Sequence, residues 1–135
     1  MTTVGETKRY RFVPAYRITT FVPTRYVPRV LKAVLGVVPL AYGREYDRVA
    51  WWSVPGTEQY RPLAGSRPRS GKPGRQSRVR SIALTFSIPR NRTLLARVVR
   101  DGIMPTHPWD EPVIVVSRVV ETRRIRPRDR RVPSY

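Results

Sequence analysis

The stretch "SIALTFSI", residues 81–88, alternates without a break. Ile82, Leu84, Phe86 and Ile88 interleave with Ser81, Ala83, Thr85 and Ser87. A period of two puts one set on each face of a β-strand. One face is therefore built for a core. The other is small and polar, suited to solvent or to a partner surface.

The flanking segments take their meaning from this strand. After it, "RNRTLLARVVRDGI" (90–103) brings Leu94, Leu95, Val98, Val99 and Ile103 onto one helical face, with Gly102 near its end. "HPWDEP" (107–112) follows, and then "VIVVSRVV" (113–120), a β-branched strand. Before it, "YRITTFVP" (16–23) reads as a strand that stops at a proline. "TRYVPRVLKAVLGVV" (24–38) lines up Val27, Val30, Leu31, Val34, Leu35 and Val38 at helical spacing. Thr24 is its expected N-cap, and Pro28 weakens its start. "EYDRVAWWSV" (45–54) reads as another strand. Its adjacent Trp51 and Trp52 must point to opposite faces, and the one facing away from the helices needs a partner to be buried.

The order strand, helix, strand, strand, helix, strand predicts an α+β fold. It is the ferredoxin-like βαββαβ sandwich, with four antiparallel strands and two helices on one face. The connection between strands two and three, residues 55–79, is unusually long and rich in Gly, Pro and Arg. Loops of that length are commonly functional or disordered.

Composition narrows the class. The 135 residues suit one small domain. The predicted layout is a tail over 1–15, a folded domain over 16–120 and a basic tail over 121–135. Cysteine is absent, so disulfides and thiolate metal sites are excluded. The longest apolar run, "AVLGVVPLAY" (33–42), is too short to span a bilayer, and the N-terminus has no signal-peptide core. A soluble cytoplasmic or otherwise intracellular protein is expected, with no membrane insertion. The net charge of +18 would attract polyanions. The same excess, almost all arginine, is also what a GC-rich genome produces.

Three regions are candidates for function. His107 is the only histidine, and Asp110 and Glu111 follow it closely. Together they offer a metal set or a general base with an orienting carboxylate. No nucleophile motif accompanies them, so no catalytic residue is assigned and no enzyme activity is expected. The competing reading is a rigid joint, since Pro108 holds His107 extended. The second region is the long loop, where Tyr60, Arg61, Arg67, Arg69, Lys72 and Arg75 lie among glycines and prolines. Guanidinium forks bind phosphates, and glycines let backbone N–H groups approach an anion. "SGKPG" is not a Walker loop. The third is the C-terminal run, where Arg123, Arg124, Arg126, Arg128, Arg130 and Arg131 are either solvated or in contact with nucleic acid.

The chain also resembles a known family. "YRITTFVP", the loop "SVPGTEQYRPLAGSRPRSGKPG" and "HPWDEP" occur in the order found in the PII-like, also called CutA-like, domain of the NGG-interacting-factor-three family. That domain is inserted in larger members and also occurs as short proteins. Val22-Pro23, Tyr46-Asp47, Pro55-Gly56-Thr57, Tyr60-Arg61-Pro62-Leu63, Gly65, Pro68, Gly71, Gly74 and His107-Pro108 match its pattern, over about residues 16 to 120. There are departures. Lys72 replaces a usual glutamate, and Ser77 and Arg80 replace acids. Val37, Val38 and Pro39 stand near a usual Gly-Ala-Gly turn, and Trp109-Asp110-Glu111 replaces Tyr-Glu-Glu. The sign reversal at Lys72 favours an anion.

The resemblance implies a homo-oligomer, a trimer by analogy, with ligands in clefts between subunits near the long loop. It also implies a non-enzymatic binding or regulatory role, because the dinuclear-metal domain of the larger members is absent. Neither the residues nor the resemblance identifies a cofactor. The expected ligand is a small phosphate-bearing anion or a protein partner. A nucleic-acid-associated role is the alternative, and metal binding at His107 a third.

Overall fold

The computed structural model of the chain describes residues 9–127. Its elements are β1 (Tyr10–Val22), a 3-10 turn (Thr24–Tyr26), α1 (Val27–Leu35), β2 (Trp51–Trp52) and β3 (Gly56–Tyr60). β4 (Ser77–Pro89), α2 (Arg92–Arg97), a π-helical turn (Val98–Ile103) and β5 (Ile114–Arg124) follow.

The sheet is antiparallel, in the order β2–β4–β1–β5, with β3 also on β4. β2 and β3 both run along the outer edge of β4, one opposite Leu84 and Thr85 and the other opposite 77–81. They are one strand interrupted at Ser53 to Pro55, and counting them as one gives the expected βαββαβ order. The expected strand over 45–54 is thus displaced toward the C-terminus. Residues 45–50 form no strand; the chain turns at Tyr42–Tyr46 and runs irregularly between Leu40 and Ala50 instead. There, Leu40 and Arg48 both have positive φ, at 53° and 58°, and backbone bonds join Arg48 N–H to the Pro39 carbonyl and Val49 N–H to Leu40.

The alternation at 81–88 does what its period demands. Ile82, Leu84, Phe86 and Ile88 are buried. They pair in register with Val22, Thr20, Ile18 and Tyr16 of β1. α1 closes over them with Val27, Val30 and Val34, and Val98 and Ile103 complete the core. The two helices meet at Gly102. A Cβ there would lie 3.2 Å from Val34 Cγ2 and 3.3 Å from Val34 Cα.

The helix ends differ in detail from expectation. Thr24 opens a 3-10 turn and caps nothing with its side chain, and Tyr26 takes the N-cap position of α1. Pro28 therefore falls in the first turn, where its missing N–H costs nothing. Asn91 caps α2, its side chain accepting from Leu94 N–H at 2.9 Å.

Both domain boundaries also move. Residues 10–15 belong to β1 and residues 121–124 to β5, paired from Tyr10↔Arg124 to Thr20↔Ile114. The charge-dense sequence orders because β1 supplies a partner for its backbone and Glu121 supplies one for its arginines. Ser87 Oγ donates to Glu121 Oε2 at 2.5 Å, and Arg123 Nη2 lies 3.3 Å from Glu121 Oε1.

The second sheet face carries Thr19, Phe21, Ala83, Thr85, Val115 and Trp51. No helix covers it. Trp51 is 57% exposed. Trp52 does point the opposite way, but it too is 48% exposed, because the helices do not reach the β2 edge. Among the described residues no helix is long and apolar enough to cross a membrane.

Candidate functional site

The "HPWDEP" segment leaves the π-turn and enters β5. His107 is buried, at 8% exposure. Its Nδ1 accepts the Trp109 backbone N–H at 3.1 Å, so the ring proton sits on Nε2, which donates to the Phe21 carbonyl at 2.8 Å. Burial pushes the His107 pKa down, only partly offset by the Phe21 hydrogen bond and the charge of Glu58. Both ring nitrogens are thus engaged, and the lone pair a metal would need is spent on Trp109. His107, Asp110 and Glu111 do not assemble a metal set, nor does any other group of three such residues among those described. The same engagement leaves His107 no nitrogen with which to act as a base. The rigid joint is what the geometry contains.

The long connection shrinks to residues 61–76 once β3 and the start of β4 are counted. It is a folded loop. Gly74 N–H donates to the Pro62 carbonyl at 2.7 Å, and Arg75 N–H to Lys72 at 3.0 Å. Tyr60 Oη donates to the Ser70 carbonyl at 2.6 Å, which draws the loop over β3. Gly71 is required at that crossing. Its φ is 90°, and a Cβ would lie 2.6 Å from Ser77 Oγ and 3.3 Å from Tyr60 Oη.

The loop lands on the joint, and two adjoining cavities form there. They share a wall of Arg69, Ser70, Val79 and Trp109. One has a volume of about 240 Å³ and carries carboxylates from Glu58, Asp110 and Glu111, together with Tyr60. The other has a volume of about 400 Å³ and carries Arg25, Arg69 and Arg80 with no carboxylate. Tyr26 and Trp109 are its aromatic surfaces.

Arg69 is held in place. Its Nη2 donates to Tyr26 Oη at 2.9 Å, and its guanidinium lies 5.7 Å from the Tyr26 ring centre. Arg25 lies 5.2 Å from the same ring. Burial would raise the Tyr26 phenol pKa, but the Arg25 hydrogen bond and the charges of Arg69 and Arg25 outweigh it and the pKa is lowered. Trp109 Nε1 is buried without an acceptor among the described residues.

Sequence reasoning grouped Tyr60, Arg61, Arg67, Arg69, Lys72 and Arg75. Only Tyr60 and Arg69 reach the cavities. Tyr60 serves as an anchor for the loop. Arg67 contributes its backbone N–H, 3.4 Å from Asp110 Oδ2. Arg61, Lys72 and Arg75 are exposed and outside both linings. Arg25, Tyr26 and Arg80 were missed as a group because they come from the turn before α1 and from β4. Arg80 was visible as a departure from the family pattern. Of the C-terminal arginines, Arg123 and Arg124 lie in β5 and Arg126 just beyond it. Arg128, Arg130 and Arg131 fall outside the described residues.

A four-to-five-stranded antiparallel sheet, helices on one face and a long loop folded onto the joint before the last strand make this a PII/CutA-like ferredoxin fold. Solved structures agree. A protein related to NIF3 from Bacillus cereus superposes with a TM-score of 0.63 and 21% identity, covering 84% of this chain and 28% of that one. The periplasmic divalent cation tolerance protein CutA from Archaeoglobus fulgidus gives 0.52 and 16%, covering 76% and 81%. B. subtilis GlnK, at 0.45 and 8% over 78% and 85%, adds no weight to that agreement. The chain thus spans little more than a quarter of the NIF3-related protein. Identities this low speak for the fold alone. No protein-family model and no curated protein matches the chain.

Proposed function

We propose that the chain is a non-enzymatic binding or regulatory module of PII/CutA-like kind, and that a small anionic, phosphate-bearing ligand binds under its long loop. The observation that carries this reading is the convergence of Arg25, Arg69 and Arg80 on one aromatic-walled cavity free of carboxylates. Guanidinium groups bind phosphate oxygens through paired, charge-assisted hydrogen bonds. A volume of about 400 Å³ lies within the range of small-ligand pockets. Tyr26 and Trp109 offer surfaces for a ring. The ligand site shifts accordingly from Lys72 and its neighbours to the arginines behind the loop.

The module assembles through its open sheet face, a trimer being the form the family resemblance implies. Polar and apolar side chains of moderate size cover that face, and Trp51 and Val115 stand out from it, 57% and 48% exposed. Exposed apolar surface of this kind marks contacts.

Thermal melting with pyrophosphate and with mononucleotides tests the ligand reading. A ligand at a hundred times its Kd adds about 2.7 kcal/mol of stability. The shift should vanish in Arg80→Ala and persist in Lys72→Glu. A shift that disappears in Lys72→Glu and persists in Arg80→Ala would move the site to the outer loop. No shift with any of these phosphates would overturn the anion reading.

A further inference from the structure

The opposite end of the sheet carries a second basic site that the family pattern does not include. There the start of β1 meets the end of β5, and the turn at 41–47 folds against both. A cavity of about 510 Å³ is lined by Arg11, Arg123, Arg124 and Arg126, with Tyr42 and Tyr46 among its walls. Arg44 joins the lining, and Glu45 is its one carboxylate. A second cavity, of about 360 Å³, is lined by Arg9, Tyr10, Thr122 and Arg124.

This site is built. The Arg123 guanidinium stacks 3.9 Å from the Tyr42 ring centre, and Glu121 holds its Nη2 from behind. Tyr42 Oη lies 3.3 Å from Thr122 Oγ1. The turn that presents Tyr42 and Tyr46 is closed by a Tyr42 N–H bond to the Tyr46 carbonyl at 2.8 Å. It is flanked by Leu40 and Arg48, both in the left-handed region. Non-glycine residues in that region are strained and persist where the surroundings hold them. Tyr46 remains 67% exposed.

The arginines are spread over both sides of the sheet. Arg11 pairs with Arg123 on the open face, while Tyr10 pairs with Arg124 on the other. One small anion would need one cluster. Positive charge continuing around an edge, with an exposed aromatic beside it, suits a chain of phosphates carrying bases. We infer that this end of the sheet binds single-stranded nucleic acid. Arg11, Arg124 and Arg126 face successive phosphates, Arg123 holds the Tyr42 ring in place, and Tyr46 offers its ring to a base. Arg11 lies eight positions from Thr19 along β1, roughly 26 Å at strand rise. Copies packed over the middle of the open face would leave this end accessible.

The test is fluorescence anisotropy of the full chain with a labelled single-stranded oligonucleotide of about 16 nucleotides, across a salt series. Each arginine that neutralises a phosphate adds about 0.7 to the salt slope. The pair Arg11→Ala and Arg124→Ala should therefore flatten the slope by about 1.4. Tyr46→Ala should weaken binding by roughly five- to 150-fold, the range of one stacked base. Arg80→Ala, at the other end of the molecule, should change neither, and unfolding curves of each variant confirm the fold.

Binding that survives these variants but is lost on deleting residues 128–135 would place the contact in the terminal arginines and overturn the inference. So would a mononucleotide or inorganic phosphate that binds the Arg80→Ala variant, whose loop cavity is disabled, as tightly as the oligonucleotide does, or a preference for duplex. The absence of binding at low salt would also end it. Loss of phosphate-induced stabilisation in Arg80→Ala bears only on the loop cavity, so the two sites fail separately.

Discussion

His107 decides how the joint before β5 is read. As the only histidine, beside two carboxylates, it has the composition of a reactive centre. Its surroundings make it a structural donor, neutral and locked between Phe21 and Trp109. Because its folded pKa is lowered, the unfolded chain binds the extra proton first as pH falls. The stabilising contribution is complete above the ordinary histidine value of about 6.5 and is lost as pH falls from there through the lowered folded value. Urea midpoints at about pH 7.5 and about pH 5 should therefore differ, and His107→Gln should remove part of the difference. An unchanged pH dependence in that variant would show that His107 does not titrate as described. At Gly71, an alanine would meet Ser77 Oγ in a backbone conformation that L side chains rarely adopt. Gly71→Ala should loosen the loop and abolish the phosphate shift while leaving global stability little changed.

The elements show what sequence pattern conveys and where it stops. The strand at 81–88 and the helix face of Val27, Val30 and Val34 are legible because their periods match the core they face. The broken edge strand is not, because β2 and β3 are largely exposed and are defined by pairing with β4. β5 is misjudged at its end for a related reason. Its outer residues order through long-range backbone pairing with β1, which composition cannot show. The candidate site shares that limit. Arg69 stands in the loop where the pattern points, but Arg25 and Arg80 join it only through the fold. Helix capping is a local device, so it can be tested locally. Asn91→Ala removes the acceptor for Leu94 N–H and should cost about 1 kcal/mol, read from the denaturant midpoint. No loss would mean that the cap bond is not formed in solution.

At the scale of the whole molecule, the helices satisfy one face of the sheet and leave the other incomplete. β5 is a long edge strand rich in valine, with Val115, Val116 and Val120 exposed. Val116 stands opposite buried Ile18 and is still 40% exposed, since the core lies over β1 and β4. Long apolar edges are usually shielded, by charge, by bulges or by another chain. Among the described residues no helix covers the open face, and the charges on β5, at Arg118, Glu121, Arg123 and Arg124, leave Val115 and Val116 exposed. Both features are accounted for together if copies of the chain close them, which is also what would carry a ligand cleft between subunits. The mass in solution, from light scattering on a sizing column, decides the matter. The assembly argued here gives about three times the 15.6 kDa of one chain. A mass of one chain at micromolar concentration would contradict it, and would leave the arginine cavity behind the loop to bind its ligand within a single subunit.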